Sequence, residues 1–89
     1  MKKQIVYDRW FVVETTYGTQ AIPQNVIGKT LHPTHAELAP FIEGEVISVE
    51  VVDGYGARLS MPGYLDCTEW TVFDTPRAAM RFLKEMYDE

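Results

Sequence analysis

A chain of 89 residues, 46% of them hydrophobic, sets the expectation of a single domain over 1–89, near the lower size at which one core is stable alone. Its formal net charge of −5 argues against direct nucleic-acid binding, which needs clustered Lys and Arg to neutralise phosphates. No run approaches the roughly 18 apolar residues of a membrane span, the basic start Met1-Lys2-Lys3 lacks the apolar stretch of a secretory signal, and a lone Cys closes no internal disulfide. No membrane contact and a reducing, cytoplasmic location are therefore expected.

Gln4 to Thr16 is rich in β-branched and aromatic residues and reads as a strand, with a bulge expected at Asp8-Arg9. Tyr17-Gly18 supplies a turn, and Thr19 to Ile22 reads as a return strand. Pro23 cannot donate to a ladder, so that strand belongs at a sheet edge. Residues 23–33 read as loop.

Thr34-His35-Ala36-Glu37 matches a capping box, in which Thr34 caps and Glu37 reaches back. Pro40 limits the helix it opens to one or two turns. Glu45 to Val52 is the most strand-like run of the chain. It leads into Asp53-Gly54, a strong hairpin signal, which would pair Val52 with Tyr55 and continue through Leu59. Gly54-x-Gly56 lacks the third Gly and following helix of a dinucleotide site and is read as part of that turn.

Glu69 to Phe73 reads as a last strand, Thr75 as an N-cap and Pro76 as the first helical residue. Ala79, Phe82, Leu83, Met86 and Tyr87 then form an apolar stripe at helical spacing. The fold class expected is α+β. It comprises an antiparallel sheet of four to five strands, a short middle helix, and an amphipathic C-terminal helix over 75–88 packed on one face.

Residue types that bear chemistry crowd into Pro62 to Trp70: Tyr64, Asp66, the only Cys (Cys67), Glu69 and Trp70. Cys67 lies between Asp66 and Glu69, whose charge opposes thiolate formation, so it reads as a buried structural thiol. Asp66 and Glu69 could divide acid and base roles, but Asp-x-x-Glu is also a local capping pattern. A turn or bulge near Asp66-Cys67-Thr68 would let both Cys67 and Trp70 face inward.

His32-x-x-His35-x-Glu37 lacks the second ligand pair of a zinc site, and Pro33 breaks any shared helical face, so no metal or cofactor is expected. Trp10, Tyr55, Tyr64 and Trp70 are amphipathic bulk of the kind enriched at binding hot spots, though each can equally wall a core.

Charge is unevenly spread. Residues 30–57 hold Glu37, Glu43, Glu45, Glu50 and Asp53 and no Lys or Arg, while Arg77, Arg81 and Lys84 line the polar side of the last helix. Such faces could meet across a homodimer.

The leading functional expectation is a non-enzymatic, self-associating interaction module with a protein partner. Tyr55, Arg58, Tyr64, Asp66 and Glu69 are its candidate binding residues, and none is assigned a catalytic role. The first alternative is an acidic inhibitor of a nucleic-acid-binding protein, of the mobile-element or phage type, working through residues 37–53. The second is a small enzyme using Cys67, Asp66 and Glu69.

Overall fold

Two long strands organise the molecule, because runs of β-branched and aromatic residues extend through most of their length. The structure, a computed structural model, describes residues 2–28, 31–60 and 68–86. Strand β1 (Lys2–Thr15) pairs antiparallel with β3 (Val46–Ser60), from Lys2 opposite Ser60 to Thr15 opposite Val46. Strand β2 (Gly18–Pro23) returns along β1, and the short β4 (Thr71–Phe73) pairs with Tyr55–Ala57 of β3. The sheet has four strands in the order β2-β1-β3-β4. Helices α1 (Gln24–Ile27) and α2 (His35–Leu38) lie in the β2–β3 connection, with a 3-10 turn at Ala39–Phe41. Helix α3 (Pro76–Met86) packs against the sheet.

The α+β class, the short middle helix and the C-terminal helix agree with the sequence. So do several local signals. Gly18 turns the β1–β2 hairpin at φ +114°, and Pro23 sits at the end of the edge strand β2. The capping box is complete: the Glu37 N–H donates to Thr34 Oγ1 at 3.2 Å and the Thr34 N–H to Glu37 Oε1 at 2.9 Å. At the start of α3, the Ala78 N–H donates to Thr75 Oγ1 at 3.1 Å.

Other expectations are corrected. There is no hairpin at Asp53-Gly54; both residues lie inside the continuous β3, opposite Arg9 and Asp8. Val52 pairs with Trp10 and Tyr55 with Tyr7, and Gly54 does not have a positive φ. The long β1 offers partners on both sides of the Asp-Gly pair, and that ladder outweighs the local turn preference. Strand β1 carries no bulge at Asp8-Arg9; its register with β3 shifts only between Glu14 and Thr15. Gln24–Ile27 is a helical turn where loop was expected, and regular pairing of the last strand starts at Thr71 instead of Glu69. Met86 of the expected apolar stripe is 61% exposed. Tyr87 and the expected turn at Asp66-Cys67 lie outside the described residues.

The apolar residues bury in two separate clusters. One joins Phe11, Val13, Ile22 and Leu38, with Ile27, Ile42, Val46 and Val49 against it. The other joins Ala57 and Leu59 of β3 to Ala79 and Leu83 of α3, with Ile5, Tyr55, Phe73 and Phe82 around it. The β1–β3 register puts Ile5, Phe11, Val13, Val49, Tyr55, Ala57 and Leu59 on one sheet face, so both clusters use that face at different ends. Between them the same face carries Tyr7, 63% exposed, and the Arg9–Asp53 ion pair at 3.2 Å. The connection 24–42 covers one end and α3 the other.

Candidate functional site

The opposite sheet face carries the densest group of aromatic and charged side chains. Trp10 of β1 lies on it, fully buried, and leans across β3 into a notch at Gly56, beside Gly54, whose own open side admits Phe73 of β4. A Cβ at Gly56 would collide with the Cη2, Cζ2 and Cε2 atoms of the indole, and one at Gly54 would sit 2.6 Å from the Phe73 carbonyl oxygen. The notch also supplies a polar partner: Trp10 Nε1 donates to the Gly54 carbonyl at 2.9 Å. A buried indole N–H left without an acceptor costs about 1–3 kcal/mol, so this bond fixes the ring's depth and orientation.

Trp70 closes the notch from above. Its ring centroid stands 5.0 Å from that of Trp10, tilted by 58°, the edge-biased geometry that aromatic quadrupoles favour. The approach to Trp70 is pinned two residues earlier. The Leu59 N–H donates to Thr68 Oγ1 at 2.8 Å, and the Thr68 N–H donates to the Leu59 carbonyl at 3.1 Å. The Arg58 guanidinium carbon lies 4.2 Å from the centroid of a Trp70 ring, and Arg58 Nε donates to Gln4 Oε1 at 2.8 Å. The cation–π contact and that hydrogen bond hold a cation over the indole.

This stack borders an open groove of about 480 Å³ that passes over the β2 edge. Phe41, Ile42 and Glu43 form one wall, Ala21 lies between, and Arg58, Glu69 and Trp70 form the other. Phe41 is 46% exposed, and Glu43 and Glu69 are exposed. The groove thus offers apolar, cationic and anionic contacts within one concavity, a composition suited to a peptide or protein surface.

The expected binding residues are divided. Arg58 and Glu69 meet at the groove with Trp70. Tyr55 lies on the other face, half-buried, with its ring 4.9 Å from that of Tyr7 and packed towards α3. Tyr64, Asp66 and Cys67 lie outside the described residues. His32 and His35 are exposed, and no group of three His, Cys, Asp or Glu able to hold a metal occurs among the described residues.

The sequence suggests a turn at Gly54 and Gly56, but both lie inside β3 and border the site. A glycine inside a β-branched run marks a close approach, and Gly54 and Gly56 share a face at the strand period of two. That spacing, opposite a strand carrying Trp10, is the signal from which the notch could have been found.

Charge is segregated along the long strands. Glu14, Glu43, Glu45 and Glu50 are exposed towards the end where β1 finishes and β3 begins. Lys3, Arg77, Arg81 and Lys84 gather at the other end, around an apolar concavity of α3 that includes Met80 and Leu83. Eleven residues of extended chain separate Lys3 from Glu14, about 36 Å. Among the described residues, no helix is long and apolar enough to cross a membrane. Comparison with protein-family models, curated proteins and solved structures finds no match to this chain.

Proposed function

We propose that the chain is a non-enzymatic interaction module that binds a protein partner in the groove beside Arg58 and Trp70 and also associates with itself. The observation that carries this reading is the Arg58–Trp70–Trp10 stack bordering an open groove. Trp and Arg dominate binding energy where they are held rigid and can be desolvated together. Here the glycine notch and the Thr68 hydrogen bonds hold the indoles before any partner arrives, which lowers the ordering cost of association. Oppositely charged ends support self-association, since the basic end of one copy complements the acidic end of the next.

Light scattering during size exclusion, over a range of concentrations and salt levels, tests this. Mass should rise with concentration and fall with salt, and the charge reversals Glu14→Lys with Glu45→Lys, at exposed positions of the acidic end, should lower it. A monomer at every condition removes self-association. Unchanged association in the double variant removes the acidic end from it.

A second reading is favoured by the acidic end itself. Exposed Glu14, Glu43, Glu45 and Glu50 would attract a basic protein surface and so compete with nucleic acid for it.

A further inference from the structure

A strand edge lies open beside that acidic end. Strand β3 is paired with β1 along its length, but on its other side β4 reaches only Tyr55–Ala57. From Val46 to Asp53, no strand among the described residues covers that outer edge; at Gly54 the Phe73 backbone of β4 already closes it. In an edge strand every second residue turns its N–H and C=O outward, so this run turns ladder groups away from β1 that no described strand pairs.

Edges of this kind are normally blocked by Pro, Lys or very short length. The other open edges of this sheet follow that rule: β2 is six residues long and ends in Pro23, and the part of β1 beyond β2 carries Lys2 and Lys3. Val46–Asp53 contains no Pro, Lys or Arg and five Val or Ile residues. Ile47 is 60% and Val51 38% exposed. Only the register shift at Glu14/Thr15 disturbs it, at its first residues.

Charge identifies the occupant. Glu45 and Glu50 lie on or next to the edge, Asp53 being already paired with Arg9, and Glu14 shares a face with Glu50 one strand away. A second copy pairing its own β3 antiparallel about Glu50 would set the two Glu50 carboxylates opposite each other, which cross-strand like-charge repulsion disfavours. A strand bearing Lys or Arg on alternate positions would meet Glu50 and donate and accept along the same ladder.

We propose that the β3 edge over Val46–Asp53 binds an extended basic segment of a partner protein by strand addition, extending the sheet by one strand. This rests on the second reading above, that the acidic end meets a basic partner, and it specifies the surface and the geometry. Backbone pairing supplies affinity and the alternating charges supply selection.

The test is a titration of the ¹⁵N-labelled chain with two synthetic peptides of equal length and charge, one alternating Lys with Val and one alternating Lys with Pro. The Lys–Val peptide should shift the amides of Ser48–Asp53, slow the exchange of the outward-facing Val49, Val51 and Asp53 amides, and bind about tenfold tighter than the Lys–Pro peptide, which has fewer backbone donors. Glu50→Lys, at an exposed position, should weaken the Lys–Val peptide while leaving the spectrum folded. Equal binding of both peptides overturns strand addition and leaves the basic-partner reading standing. Binding of neither peptide overturns both. Protection of the same amides in the free chain that disappears on dilution also overturns the proposal, because a second copy then occupies the edge.

Discussion

Gly56 shows how much of this architecture depends on one missing methyl group. Its Cα lies under the Trp10 ring, and any Cβ there must displace the indole or the strand. Gly56→Ala should destabilise the chain by about 1–3 kcal/mol, the usual cost of forcing extra volume into a packed site. The near-UV circular dichroism of the Trp pair should change with it. Gly18→Ala is the matching control. At φ +114° and with nothing near its Cβ position, it should cost about 1–2 kcal/mol through backbone conformation and leave the Trp signal as it was. Urea denaturation and the aromatic spectrum of the two variants separate packing from backbone strain. The strand period also bears on Tyr55 and Arg58. Three positions apart in one strand, they must face opposite ways, which divides them between α3 and the groove.

The capped helices α2 and α3 and the Gly18 turn are written locally and are legible for that reason, whereas α1, which has no side-chain cap, reads as loop. Thr34 with Glu37, Thr75 with Pro76, and Gly18 each satisfy a need within four residues, so sequence alone suffices to place them. Thr75→Ala should remove the acceptor of the Ala78 N–H and lower stability by about 1 kcal/mol, read as a lower thermal midpoint. Asp53-Gly54 is the opposite case. Whether an Asp-Gly pair turns or continues depends on a partner strand 44 residues away in sequence, where Arg9 pairs with Asp53 and Trp10 with the Gly54 carbonyl. The same distance hid the site. Arg58, Glu69 and Trp70 were in view as a local cluster, but the buried Trp10 and its glycine notch appear only when β1 is laid against β3.

At the scale of the whole molecule, two apolar clusters share one sheet face and are separated by the Tyr7, Arg9 and Asp53 side chains. The Arg9–Asp53 pair is largely solvated, and exposed pairs of this kind contribute about 0–1 kcal/mol. Cohesion at this waist therefore comes from the β1–β3 ladder and from Trp10 on the other face. Native-state amide exchange should show slow amides in two groups, around Phe11–Val13 and around Ala57–Leu59, with faster exchange at Tyr7–Arg9. A single uniform rate across β1 would contradict this. The separation also bears on how such a sequence can change. Replacements among Leu38 and its neighbours share no packing partner with replacements around Leu83, so their costs should add instead of compounding. Each end of the sheet can be repacked in turn while the other keeps the strands in register, which gives a chain of this size two independent routes for drift.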